Sequence, residues 1–164
     1  MIKIALLSDT HGYLDERFIK HLSNCDEIWH AGDIGTTVLA DRLALLRPLR
    51  AVYGNIDGQP LRELFPVDQR FILENVTVWM RHIGGYPGHY EKTVSDLLRE
   101  DPPKLFITGH SHILKVQYDR RFKLLHINPG AAGKYGFHTV QTMVKFILDT
   151  GRILDLEVVE LDKK

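Results

Sequence analysis

The chain has 164 residues with 21 Lys and Arg against 21 Asp and Glu, giving a formal net charge of zero. That length suffices for one compact unit with a sizeable core, and we read 1–164 as a single domain. The balanced charge gives no sign of nucleic-acid binding or of an acidic tail, and the single cysteine, Cys25, excludes an intrachain disulfide and suits a reducing cytoplasm.

The N-terminal apolar run Ile2 to Ser8 is too short for a signal peptide or a membrane span, so the expected location is cytoplasmic, without a membrane partner. Its lack of alternation fits a strand buried on both faces, ended by Asp9-Thr10-His11-Gly12. Leu14, Phe18, Ile19 and Leu22 then recur at helical spacing over Asp15 to Leu22. Glu27 to His30 reads as a second strand ending at Ala31-Gly32-Asp33. Thr36 or Thr37 can cap a second helix with the stripe Val38, Leu39, Leu43 and Leu46, which Pro48 stops. Leu49 to Tyr53 is a third strand, ending in Gly54-Asn55-Ile56-Asp57. Strands alternating with helices imply a parallel sheet, whose strand C-termini share one edge where ligands bind.

Gly58 to Asp68, with Pro60 and Pro66, reads as a loop. Arg70 to Leu73 and Val76 to Met80 read as strands around Glu74-Asn75, the second leading to His82. Ile83 to His89 is a glycine-rich loop, and Tyr90, Val94, Leu97 and Leu98 mark a third helix stopped by Pro102-Pro103. Lys104 to Thr108 is a buried strand ending at Gly109-His110-Ser111-His112. Two hairpins follow: Ile113 to Tyr118 with Phe122 to Ile127, turning at Asp119-Arg120-Arg121, and Thr139 to Leu148 with Arg152 to Val159. The second half therefore reads as mostly antiparallel, giving two sheets.

Five polar clusters each end a strand, at intervals of 22 to 28 residues, the length of a βαβ step. Together they offer Asp9, His11, Asp33, Asn55, His82, His110 and His112. Oxygen and imidazole donors without thiolate suit Mn²⁺, Fe, Zn²⁺, Co²⁺ or Ni²⁺. Seven donors exceed what one tetrahedral structural zinc uses.

The order Asp-x-His, Gly-Asp, Gly-Asn-x-Asp, His, Gly-His-x-His resembles the calcineurin-like metallophosphoesterase superfamily. The short chain, the Gly-Asn-x-Asp variant and the run Ile127-Asn128-Pro129-Gly130-Ala131 resemble its small branch, the YfcE-like phosphodiesterases. The resemblance implies an α/β (α+β) fold, a four-layer sandwich of two mixed β-sheets packed face to face and flanked by helices. It implies two divalent ions, Mn²⁺ first among them. Asp9, His11 and His112 would hold one ion, Asn55, His82 and His110 the other, and Asp33 would bridge them. A hydroxide between the ions would attack phosphorus in line with the leaving oxygen of a small phosphodiester or nucleotide.

Asn55 could also donate its amide to a phosphate oxygen, and His11 could face the leaving group as well as a metal. Asp57 would act from behind the ligands, orienting a histidine or the Asn55 turn. Tyr86, His89 and His138 are candidates for substrate contact. Two departures stand out. Many larger relatives have histidine where Ile56 stands, so no general acid is supplied there, and relatives usually have glycine where Ile83 stands. The alternative on the same fold is a non-catalytic protein-binding scaffold, as in a retromer subunit with an incomplete metal site. Here all seven positions hold competent ligands. A homodimer is compatible with this reading.

Overall fold

The structure, a computed structural model, describes residues 1–163. The first sheet contains β1 (Ile2–Leu7), β2 (Glu27–His30), β3 (Leu49–Ala51), β9 (Val140–Asp149) and β10 (Arg152–Asp162), in the order β10-β9-β1-β2-β3. β1, β2 and β3 run parallel, as their helical crossovers require, while β9 returns antiparallel along β1. The second sheet contains β4 (Asp68–Leu73), β5 (Val76–Arg81), β6 (Leu105–Ile107), β7 (Leu114–Asp119) and β8 (Leu124–Pro129), in the order β4-β5-β6-β8-β7. It is more mixed than the expected antiparallel half. β8 pairs antiparallel with β7 but parallel with β6, which itself runs parallel to β5.

Side-chain alternation divides the core into three layers. Ile4 and Leu6 of β1 face inward with Trp29, Val144 and Phe146, meeting Val78, Met80, Leu105 and Ile127 of the second sheet. Ala5 and Leu7 point the other way, onto Phe18, Leu22, Leu39, Leu43 and Leu61. These belong to a 3₁₀ turn (Glu16–Phe18), α1 (Ile19–Ser23), α2 (Thr37–Leu46) and α3 (Gln59–Leu64). On the far side Trp79, Phe106 and Leu124 pack against Val94 and Leu98 of α4 (Lys92–Glu100). The result is helix, sheet, sheet, helix: the four-layer sandwich the family resemblance implied.

Local signals explain most boundaries. Asp15 caps the 3₁₀ turn, and the Thr36 hydroxyl accepts from Leu39 N at 3.1 Å to cap α2. One expectation is overturned: residues 58–68 do not form a continuous loop. Pro60 lies in the first turn of α3, where a missing N–H costs nothing, and Leu61 anchors that turn in the core. The other shifts are small. The β7–β8 turn falls at residues 120–123, because Asp119 accepts from Arg121 N and Phe122 N and stays in the ladder. No helix among the described residues is long and apolar enough to cross a membrane.

Candidate metal centre

The loops after β1, β2, β3, β5 and β6 lie along one edge of the sandwich, and the parallel ladders continue into them. Asp9 N donates to Gly32 O at 3.0 Å, His11 N to Asp33 O at 3.0 Å, and Gly109 N to His82 O at 2.9 Å. Five of the seven predicted ligands are held at positive φ: Asp9 (55°), His11 (48°), Asp33 (57°), His110 (72°) and His112 (63°). Each such residue costs roughly 1 kcal/mol or more, so the surrounding hydrogen bonds hold these backbones against their local preference. The intervening glycines are sterically required. A Cβ on Gly32 would lie 2.6 Å from His82 Nδ1, and one on Gly54 would collide with the Asp33 side chain and backbone.

Two triads result. Asp9, His11 and His112 form one, and Asp33, His82 and His110 the other; within each, one donor atom per residue lies within 4.8 Å of the others. That is close to the span of two ligands across a single ion with bonds of about 2.0–2.2 Å. Asp33 Oδ2 lies between the groups, 3.5 Å from His11 Nε2 and 3.2 Å from His82 Nε2. Asp9 Oδ1 is 3.3 Å from His112 Nε2 and 3.8 Å from His82 Nε2. Asn55 Oδ1 sits between His82 Nε2 at 3.1 Å and His110 Nδ1 at 2.9 Å.

The donor set fits divalent ions by its unmet valences. The buried atoms Asp9 Oδ1 and His11 Nε2 have no hydrogen-bond partner among the described residues. His82 Nδ1 faces the Ala31 carbonyl at 2.7 Å, which fixes that nitrogen as the donor. Its Nε2 lone pair is therefore aimed at Asn55 Oδ1 and Asp33 Oδ2, both acceptors. Three acceptors converging in this part-buried site need a proton or a cation between them. Burial disfavours the charged form of His82, but the Asp33 hydrogen bond and the charges of Asp9 and Asp33 prevail and raise its pKa. Burial likewise opposes ionisation of Asp33, yet its bonds to His82 and to the Ile56 N–H keep its pKa below the ordinary value.

Behind the triads, a second ring of contacts fixes the loops. The Ser8 hydroxyl donates to Asp9 Oδ2 at 2.7 Å, and His110 N donates to the same oxygen at 3.1 Å. The Asp57 carboxylate accepts from Ile34 N, Gly35 N and Gly54 N at 3.2, 2.9 and 2.8 Å. It joins the Asp33 loop to the Asn55 turn and touches no histidine. His30, fully buried, accepts from Gly32 N at 3.1 Å and meets the Thr10 hydroxyl at 2.9 Å. Burial drives its pKa down to about 4.

The three predicted substrate contacts are placed differently. The His138 ring packs edge-on against His112 at 5.4 Å, its Nε2–H donating to Gly133 O at 2.7 Å. Tyr86 lines a cavity of about 280 Å³ that opens beside His110. His89 is exposed, lies tilted at 38° against Tyr86 with ring centres 4.8 Å apart, and is not part of the cavity wall. Sequence reasoning missed two neighbours. The Tyr135 ring stacks on His11 at 4.9 Å and 28°. Asn128 ties the last motif down, donating to Gly109 O at 3.0 Å and Ser111 Oγ at 3.1 Å. The Asn-Pro-Gly run signalled the latter; nothing local signalled Tyr135.

The model of the calcineurin-like phosphoesterase superfamily domain matches residues 2–151. A protein of Mycoplasma pneumoniae (strain ATCC 29342 / M129 / Subtype 1) described as a probable metallophosphoesterase is 32% identical over 165 residues, spanning 95% of this chain and 96% of its own. The fold is similar to that of an archaeal phosphodiesterase, with 20% identity, a TM-score of 0.77 and coverage of 98% of this chain and 100% of the other. It is similar also to Vps29 of Entamoeba histolytica complexed with zinc, with 14% identity, a TM-score of 0.76 and coverage of 99% and 100%. By the reach of the family match and the likeness to the Mycoplasma protein, the chain belongs to the calcineurin-like phosphoesterase superfamily.

Proposed function

We propose that the chain is a phosphodiesterase that works with two divalent ions, Mn²⁺ first among them, on a small phosphodiester or nucleotide. The observation that carries this reading is the convergence of seven oxygen and imidazole donors on one edge, with Asp9 Oδ1 and His11 Nε2 buried and unpaired. In this reading Asp9, His11 and His112 would hold one ion, Asn55, His82 and His110 the other, and Asp33 would be shared by both. The likeness to the archaeal phosphodiesterase supports it, and the zinc complex of the Entamoeba protein supports metal binding on this fold. A protein-binding scaffold would have no need of a full ligand set held at positive φ.

When bound, the ions would supply an activated water and neutralise charge on the phosphoryl oxygens. The residues of the chain orient the reaction. His82 is locked in one tautomer by Ala31 O, which leaves Nε2 free as a ligand atom. Asn55 keeps its amide NH₂ to donate to a phosphate oxygen once Oδ1 is engaged. Ile56, 45% exposed at the turn, offers no proton to the leaving oxygen, so the leaving group departs unassisted from that side.

The test is direct. Metal-stripped protein should hydrolyse bis(4-nitrophenyl) phosphate only after Mn²⁺ is restored. Folded protein that stays inactive with Mn²⁺, Zn²⁺, Co²⁺, Ni²⁺ and Fe²⁺ would overturn the reading.

A further inference from the structure

The cavity beside His110 is more specific than a phosphate site requires. Its walls include Tyr86, Gly109, His110, Ile113 and Asn128, so it opens directly onto the second triad. At about 280 Å³ it lies at the small end of ligand sites, which run from roughly 300 to 1,000 Å³. A single ring system fits; a polymer does not.

Its polar groups can be audited one by one. Asn128 is saturated: Nδ2 donates to Gly109 O and Ser111 Oγ, and Oδ1 accepts from Gly130 N at 3.0 Å. Ser111 Oγ accepts from both Asn128 Nδ2 and Ile113 N, at 3.1 and 3.2 Å. Both its lone pairs are used, and the O–H of this exposed residue has no acceptor among the described residues. His126 is fully buried. Its Nε2 lies 2.9 Å from the Thr108 hydroxyl, whose own proton goes to Gly85 O at 3.3 Å. Nε2 is therefore the donor and Nδ1 a bare acceptor, and Nδ1 has no partner among the described residues. A buried imidazole nitrogen left unpaired costs about 1–3 kcal/mol unless a ligand meets it. Burial, with Lys115 nearby, pushes the His126 pKa down to about 4, which keeps the ring neutral near pH 7.

Lys115, its ammonium 4.7 Å from the centre of the Tyr86 ring, and Glu91 also line the cavity. Their opposite charges cancel, so the walls favour a neutral occupant over a second phosphate.

On the phosphodiesterase reading above, we infer that this cavity receives the nucleobase of a nucleoside esterified to the phosphate, with the Ser111 O–H as donor and His126 Nδ1 as acceptor to its edge. A free donor and a free acceptor in a mostly apolar cleft match the edge of a nucleobase, which pairs such groups in a rigid plane. The aromatic face of Tyr86 suits its flat ring. His126 and Ser111 here select substrate and take no part in the chemistry.

The test uses nucleosides, which need no metal. ¹⁵N-labelled protein is titrated with adenosine, guanosine, cytidine and uridine while the histidine ring nitrogens and the Ser111–Ile113 amides are followed by NMR. At least one nucleoside should shift His126 Nδ1 saturably toward the hydrogen-bonded range. Ser111→Ala should weaken it roughly 3- to 10-fold, the worth of one hydrogen bond. Ile113→Trp, at an exposed wall position, should fill the cavity and abolish binding. If no nucleoside moves His126, or the Trp variant binds as tightly, the inference is wrong. Hydrolysis of bis(4-nitrophenyl) phosphate by the same preparation separates the two readings. Mn²⁺-dependent hydrolysis without nucleoside binding sinks the pocket alone. Nucleoside binding without hydrolysis in any metal sinks the phosphodiesterase and leaves a nucleoside site.

Discussion

Asp33 lies in the loop that follows β2, at a φ of 57°, with one oxygen bound by the Ile56 N–H and the other between His11 and His82. Read alone it is a turn residue after glycine. Its position predicts that Asp33→Ala loses both ions together, seen as near-zero bound metal by elemental analysis, and loses Mn²⁺-dependent turnover by more than about 10³-fold, a scale set by the charge stabilisation that depends on the ions. Retention of two metals would refute the bridging assignment. Ile56 makes a different prediction. Without a proton donor at that turn, log kcat/KM should fall steeply as leaving-group pKa rises across a series of aryl diesters. A flat series would reveal a general acid elsewhere.

At the scale of elements, the site is made of strand ends, and the hydrogen bonds between their loops matter as much as the strands. Asp57 is the clearest case, clamping three backbone N–H groups from two loops. Asp57→Ala should leave buried donors unpaired and cost about 2–4 kcal/mol, read as a lower urea midpoint with unchanged slope. Asp57→Asn keeps one acceptor oxygen and should recover part of the loss. If Asp57→Ala were as stable as wild type, the clamp would carry no weight. The strand ends were legible because apolar runs stop abruptly in polar clusters. α3 was not: the same proline that marks a loop also starts a helix, and only the burial of Leu61 decides between them.

At the scale of the molecule, the four layers bury two histidines that the ligand set does not use. His30 and His126 are both held to a pKa of about 4 by burial, against about 6.5 in an unfolded chain. The native state resists protonation, so the unfolded chain binds more protons below pH 6.5. Stability is therefore full above that pH and lost as pH falls toward 4, by on the order of 3 kcal/mol per histidine. Asp15 acts later: its hydrogen bond to Arg17 holds its pKa near about 2, so its contribution persists until pH falls below about 3.8. Urea midpoints of metal-free protein should thus drop between pH 7 and pH 5 before carboxylates contribute much. A slope in that window unchanged by His126→Gln would count against this account of His126.

The sequence by itself determined where strands end, which residue types stand at those ends, and that seven candidate ligands recur at the spacing of βαβ steps. These follow from local polarity and periodicity, which short-range chemistry enforces. Only the tertiary structure decided that β8 runs beside β6, that Asp57 binds backbone rather than histidine, and that Tyr135 lies on His11. It alone brings Ser111 and His126, fifteen residues apart on different elements, to one cavity beside His110. Such contacts join segments distant in sequence, and no local pattern encodes them. Asp33 needed both: its identity is written at the end of a strand, and its place between two triads exists only once five loops share an edge.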